Sequence, residues 1–365
     1  MEQTTNTPPR LIRTLRDDIA HGGILDELRR EASEIEDFYL DQEERERLQG
    51  RGAIGRAALL AWWVVKHSLL RLTSARRILL VLGIVLVFID ITVRNEGDQV
   101  SFHFTPLGAA CLVLVIILEL KDKLLARDEL ESGRAVQLAM SPEPSPAVPG
   151  WDVWLYTRSA NEVGGDLVDF LRLDGGRSAA VVGDVAGKGL AAALFMVKIQ
   201  STLRALAPDF TSPADLMAKL NAILIRDGLP GKFASLVYVA IDSPSGDIRL
   251  VNAGHMPPVI ISGGTVTELP KGNAALGLAP LTLFEPRDVH LAPGDTLVVY
   301  SDGVTEARNG AGEFFGPDRF KALCAECRGI AAQPFGARIL DAVARFEGNA
   351  RRTDDLSLVI LRKAG

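Results

Sequence analysis

Four short acidic motifs lie along the C-terminal two-thirds of the chain: Gly164-Gly165-Asp166, Gly183-Asp184-Val185, Ser301-Asp302-Gly303 and Thr353-Asp354-Asp355. An all-oxygen set of carboxylates selects hard divalent cations such as Mg²⁺ or Mn²⁺, and paired cations of that kind activate water against phosphate esters. Asp beside Gly is also ordinary turn chemistry, so one such motif alone says little. Four together point to a metal-dependent hydrolase.

Each aspartate sits where an apolar, strand-like run meets a turn. The run Ser178 to Gly183 leads into Asp184, Asp295 to Tyr300 leads into Ser301-Asp302-Gly303, and Asp354-Asp355 opens Leu356 to Leu361. Strand ends are rigid, so carboxylates placed there can converge although far apart in sequence.

Val163-Gly-Gly-Asp166, Gly183-Asp-Val-Ala-Gly-Lys-Gly189, Asn252-Ala-Gly-His-Met-Pro-Pro258, Tyr300-Ser-Asp-Gly-Val-Thr-Glu-Ala307 and Thr353-Asp-Asp-Leu-Ser-Leu-Val-Ile-Leu361 follow in order. This succession resembles the metal-dependent protein phosphatases of the 2C superfamily, in the bacterial branch of sporulation-protein-E and sigma-regulator type, over about residues 135 to 363. The resemblance implies an α+β fold, an αββα sandwich of two antiparallel sheets flanked by helices, with two Mn²⁺ or Mg²⁺ ions in a cleft at one end. It implies Asp184 as the carboxylate shared by both ions, with the backbone carbonyl of Val185 as a further ligand. Asp302 and Asp354 would hold the first ion and Asp166 the second, directly or through its waters. Asp355 would stand beside the nucleophilic water. The catalytic set so implied is Asp184, Asp302 and Asp355, acting on phosphoserine or phosphothreonine in a regulatory protein such as an anti-sigma-factor antagonist. A water activated between two cations attacks phosphorus in line, so no covalent enzyme intermediate is required. One departure stands out: where eukaryotic relatives place a phosphate-gripping Arg, this chain has Asn161 and Glu162, and the nearest Arg is Arg158.

Several segments look like other sites. Gly183 to Gly189 resembles a nucleotide-binding loop but is one residue short and lacks the Ser or Thr that would hold Mg²⁺. Gly164 to Phe170 resembles the signature of diguanylate cyclases, yet Leu167 occupies the glutamate position and the later acidic motifs would go unexplained. A catalytically idle signalling scaffold of the same fold is the other alternative. Lys188 reads as a solvated turn lysine, with phosphate contact as its functional alternative. His255 reads as shaping a turn between Ile248–Val251 and Val259–Ile261, with general-acid chemistry as the alternative. Cys324 and Cys327 have redox or zinc spacing but no second pair or His cluster, and with Cys111 they make no disulfide scaffold.

The elements that must carry these residues are legible nearby. Ser212-Pro213 reads as N-cap and first residue of a helix running to Asp227 and closed by Gly228. An apolar helix is expected over Leu190 to Leu206, a hairpin over Phe233 to Asp242 and Asp247 to Val251, and a last amphipathic helix over Pro334 to Phe346. The phosphatase domain is expected at 151–365.

The front of the chain differs in kind. At 365 residues and 47% hydrophobic composition there is room for an accessory region. Residues 1–54 read as a cytoplasmic helical region, with Leu11 to Leu48 helical and polar. Residues 55–120 read as a membrane region: a helical hairpin with spans at about 77–94 and 102–120, and an interfacial helix at 57–70 containing Trp62 and Trp63. Arg71, Arg76 and Arg77 before the first span and Lys121, Lys123 and Arg127 after the second place both ends in the cytoplasm, as in a multi-pass protein of the bacterial inner (plasma) membrane. Asp90 reads as reaching interfacial water near the outer end of its span, with signal sensing or helix pairing as the alternative. Residues 121–150 read as a helical signalling linker: Leu120, Leu124, Leu130 and Leu138 form a sparse heptad suited to a homodimer, and Ser141 to Gly150, rich in proline, ends it. A net charge of −6 without a basic patch argues against nucleic acid.

Overall fold

The computed structural model describes residues 53–95, 98–229, 231–242, 247–350 and 352–365. The expected helical segment Leu11 to Leu48 and the side chain of Asp90 lie outside the described residues. The chain divides into two compact units at Lys123 and Leu124.

In the first unit, α1 (Ala53–Arg71) covers the expected interfacial helix, and α2 (Ser74–Phe88), β1 (Asp90–Asn95), β2 (Asp98–His103) and the first part of α3 (Thr105–Met140) follow, the rest of α3 from Leu124 belonging to the second unit. The first expected span, 77–94, is only partly helical. After Phe88 the β-branched run Ile91-Thr92-Val93 turns extended and pairs antiparallel with β2, Val93 opposite Val100. The second expected span, 102–120, likewise opens on the end of β2 and becomes helical at Thr105. With 15 residues, α2 rises roughly 22 Å, short of the ~30 Å hydrocarbon core. Among the described residues only Leu190–Asp209 is long and apolar enough to cross a membrane by length and composition, and 44% of it is buried within the fold. Gly83 and Gly108 let α2 and α3 touch backbone to backbone, since a Cβ on Gly108 would lie 2.7 Å from the Gly83 carbonyl. Arg76 ties the same helices through Glu119 at 2.8 Å and Asp122 at 2.7 Å.

The second unit is a sandwich of two antiparallel sheets flanked by helices. One sheet has the order β10 (Arg287–His290), β7 (Asp247–Ala253), β6 (Ala234–Asp242), β5 (Arg177–Val185), β4 (Leu167–Arg172). The other runs β3 (Trp151–Arg158), β12 (Leu356–Lys363), β11 (Thr296–Tyr300), β8 (Val259–Ser262), β9 (Thr265–Glu268). Period-two alternation sorts β5 cleanly: Ala180 and Val182 point between the sheets, with Val237, Val299 and Val359, while Ala179 and Val181 point outward. There they meet α4 (Leu190–Leu206) and α5 (Pro213–Asp227) through Phe195, Ile199, Leu216 and Leu220. The Ser212 hydroxyl caps α5 by accepting from Asp215 N, as its sequence signature requires. On the other outer face, beyond the four-residue turn α6 (Asp302–Thr305), α7 (Gly316–Glu326) and α8 (Ala332–Glu347) pack Phe320, Phe335 and Ile339 onto Trp154, Tyr300 and Leu358.

Gly336 on α8 lies flat against Trp154; an added Cβ would stand 1.9 Å from the indole. Gly336→Ala is expected to cost about 1–3 kcal/mol by overpacking, seen as a lower urea midpoint at unchanged slope. An unchanged midpoint would show that this face has slack.

Candidate active site

The two sheets deliver their carboxylates to one end. Asp184 and Val185 close β5, and Asp166 ends the loop that enters β4, its neighbour in the same sheet. In the other sheet, Asp302 follows β11 by two residues and Asp354-Asp355 precede β12. The register brings them level: Leu167 pairs with Gly183, and Tyr300 with Leu358.

Asp355 holds this end together. Its Oδ1 accepts from Ala160 N at 2.8 Å, and its Oδ2 accepts from Gly165 N at 2.7 Å and Asp166 N at 3.3 Å. A carboxylate from the second sheet thus pins the loop that carries Asp166 in the first. The loop must pass close, which explains its glycines: a Cβ on Gly164 would lie 2.5 Å from Asp355 Oδ2, and one on Gly303 would lie 1.9 Å from the Asp355 carbonyl. A Cβ on Gly165 would stand 3.3 Å from the Val185 carbonyl and 3.5 Å from Asp184 Oδ1, so this glycine keeps a hollow open beside two of the expected ligands.

The electrostatics are those of crowded like charges. Burial first, then the carboxylates of Asp302, Asp354 and Asp355, push Asp184 up to about 7. Burial, Asp354 and Glu306 raise Asp302. Asp166 is nine-tenths buried and held well above the carboxylate range by burial and by Asp184 and Asp355, against the opposing Ser357 and Ser301 hydroxyls; its Oδ2 has no hydrogen-bond partner. Among the described residues no three His, Cys, Asp or Glu side chains close on a single point. A bound cation would compensate like charges gathered in this way. The donor set fits hard divalent ions: oxygen only, with a buried unpartnered carboxylate oxygen and a hollow at Gly165.

Lys188 is the nearest counter-charge. It is 60% exposed, yet its Nζ donates to Asp354 Oδ2 at 3.0 Å and to the Thr353 carbonyl at 2.6 Å. It therefore stands on the rim of the cleft lined by Asn161, Gly165, Asp184, Thr353 and Asp355, rather than loose in solvent. Arg158 lines a different cavity, on the Asp166 side of the loop.

His255 sits behind the site. The Asn252 side chain wraps the turn, accepting from His255 N at 2.8 Å and donating to the His255 carbonyl at 3.1 Å. This turn carries the chain from β7 in one sheet to β8 in the other. His255 Nδ1 meets the Ser235 hydroxyl at 2.7 Å, and Ser235 is the cross-strand partner of Asp184. Burial lowers His255 to about 4, with the Tyr300 backbone the opposing influence, so it is neutral at physiological pH. Cys324 and Cys327 are buried in the core beneath α7, where burial pushes Cys324 up to about 12 and leaves it a packing residue.

Three serines escaped the sequence reading. Ser301 and Ser357 are fully buried and bonded to each other's backbone, Ser357 N donating to Ser301 Oγ at 2.9 Å and Ser301 N to the Ser357 carbonyl at 3.0 Å. Ser235 and Ser357 stand inside otherwise apolar strands, and Ser301 directly follows one. That misfit was the available signal, because a buried hydroxyl needs a partner.

The profile of Stage II sporulation protein E (SpoIIE) matches residues 174–364, more than half of the chain. Protein IcfG of Synechocystis sp. (strain ATCC 27184 / PCC 6803 / Kazusa) is 30% identical over 303 residues, 73% of this chain. The chain spans only 47% of the length of that relative. Phosphoserine phosphatase RsbU of Bacillus subtilis (strain 168) is 27% identical over 239 residues, covering 65% of this chain and 70% of RsbU. The crystal structure of the RsbU and RsbW domains of Rv1364c from Mycobacterium tuberculosis superposes with a TM-score of 0.52 at 27% identity, covering 62% of each chain.

A neutral buried His255 has a consequence for acid stability. Its folded pKa lies below the unfolded value of about 6.5, so its contribution is present above that pH and is lost as pH falls through about 4. The loss amounts to about 3 kcal/mol. His255→Gln should flatten the stability curve between these pH values in denaturant titrations; a curve as steep as wild type would show that the imidazole is protonated in place.

Proposed function

The chain belongs to the stage II sporulation protein E (SpoIIE) family, and from that premise we propose that it is a metal-dependent protein-serine/threonine phosphatase. The observation that carries this reading is the convergence of Asp166, Asp184, Asp302 and Asp354 at one end of the sandwich, where burial and then the neighbouring carboxylates raise Asp184 to about 7. Asp184, the Val185 carbonyl, Asp302, Asp354 and Asp166 would hold two Mn²⁺ or Mg²⁺ ions. Bound, such ions make water nucleophilic at neutral pH and neutralise the phosphoryl oxygens.

The chain's own residues supply the rest. Asp355 fixes the loop of Asp166 through its three amides, leaving neither of its oxygens free of a bond. Lys188 on the rim offers an ammonium to an arriving phosphoryl group when it leaves Asp354. Neutral His255, bonded to Ser235 behind Asp184, orients rather than donates protons.

The substrate we propose is a phosphorylated regulatory protein, in keeping with the similarity to the phosphoserine phosphatase RsbU, and of the anti-sigma-factor-antagonist kind. We further propose that residues 55–120 anchor the chain in a bacterial inner membrane with the catalytic unit on the cytoplasmic side. Supporting this are the exposed apolar side chains of α2 and α3, among them Ile78, Phe88, Ile116 and Ile117. Exposed Leu120, Leu124 and Leu138 along α3 support pairing of two chains.

Hydrolysis of p-nitrophenyl phosphate by the full chain should stop with EDTA and return with Mn²⁺. Asp184→Asn and Asp302→Asn should each lower turnover by on the order of 10³-fold or more, the scale of losing a principal electrostatic element. EDTA-insensitive turnover, or near-normal rates in both folded variants, would place the chemistry elsewhere.

If α3 pairs two chains, its phase matters. Two residues inserted after Arg127 rotate the downstream face by about 200° and should change dephosphorylation strongly, whereas seven restore the phase to within about 20° and should change it little. Equal behaviour of both insertions in membranes would reduce α3 to a tether.

A further inference from the structure

The last turns of α3 belong to the same compact unit as the acidic cluster, although the sequence reads them as linker. Gln137 on α3 makes a two-point contact with one residue of the loop: its Nε2 donates to the Gly164 carbonyl at 2.8 Å, and its Oε1 accepts from Gly164 N at 3.2 Å. Both faces of the carboxamide are thereby used on a single residue, two positions before Asp166. The loop reaches Asp166 from there with no slack, since Gly165 N and Asp166 N are already committed to Asp355.

A second anchor holds the helix in place. The Met140 carbonyl accepts from Gln200 Nε2 at 3.1 Å and from Arg204 Nη2 at 2.7 Å. Arg204 in turn makes a two-pronged pair with Asp169, which is fully buried on β4 three residues beyond Asp166. Asp166 is thus bracketed in sequence by Gly164 and Asp169, each tied to the end of α3. Between the two anchors lies a cavity of about 170 Å³ whose wall includes Gln137, Gln200, Arg158 and Asp166 itself.

We propose that Gln137 is a positioning residue for the metal site: its carboxamide fixes the Gly164 peptide and so sets where Asp166 stands. The inference rests on the phosphatase reading above, in which Asp166 holds one of the ions. Residues that orient metal ligands from behind typically control affinity by about 10- to 100-fold. Gln137 therefore belongs functionally to the catalytic unit, and a chain cut at residue 151 would lose it.

The test uses the full chain and Mn²⁺ alone as the probe. Gln137→Met keeps side-chain length and helix propensity while removing both hydrogen bonds. Gln137→Glu keeps the acceptor for Gly164 N but sets a second oxygen against the Gly164 carbonyl. By calorimetric titration both variants should bind Mn²⁺ more weakly by about 10-fold or more, with turnover at saturating Mn²⁺ largely recovered. Amide exchange of residues 160–166 should quicken, while that of the sheet strands stays unchanged. Wild-type Mn²⁺ affinity in either folded variant, or loop exchange unchanged in both, overturns the inference alone. A wild-type chain that binds no Mn²⁺ overturns the phosphatase reading and the inference with it.

Discussion

Carboxylates repel, and the structure depends on holding five of them near one another. Burial first, and the neighbouring carboxylates after it, raise Asp166, Asp184 and Asp302 above the ordinary carboxylate range. No single flexible loop could keep such charges close, because each would swing toward water. The fold instead places them at the ends of strands drawn from two sheets, where the backbone is fixed by neighbours on both sides. Much of the repulsion is met by peptide N–H groups: Asp355 alone takes three of them. Lys188 meets a further part.

The same residues couple the sheets. Asp355 reaches from the sheet of β12 to the loop of β4, and the turn of His255 crosses in the opposite direction. The alternating valines between the sheets set their separation, while these polar contacts set their relative position at the site end. Hydrogen bonds to charged groups are roughly twice as strong as neutral ones, so the three amide contacts of Asp355 are strong ties between the sheets at that end. Gly164 and Gly303 follow from this: the approach to Asp355 is too close for any side chain.

The motif order, the strand ends and the cap of α5 were legible because each rests on local chemistry. Ser212-Pro213, the apolar run before Asp184 and the run after Asp355 carry their own signals, and the structure keeps them. The division of the strands between two sheets was not readable at residue level, since pairing partners such as Leu356 and Arg158 are nearly two hundred residues apart. The front of the chain misled for a different reason. Hydropathy counts Ile91 and Val93 as span, whereas their β-branching favours the hairpin that the structure shows. Lys188, read as solvated, is held by Asp354 across 166 residues of sequence, which no local pattern can announce.

The division of the carboxylates between sheets also constrains how the site could be controlled. Asp302 and Asp354 stand at the ends of β11 and β12 in one sheet. The contacts of the end of α3 go to Gly164 in the loop before β4 and, through Arg204, to Asp169 on β4. A displacement of α3 would therefore act first on Asp166, leaving the pair on the other sheet in place. Asp184 would feel it less, because β5 is buttressed by β6 along nine residue pairs. A site built this way is sensitive at one carboxylate and rigid at the rest, so a shift of Asp166 would precede any loss of the fold.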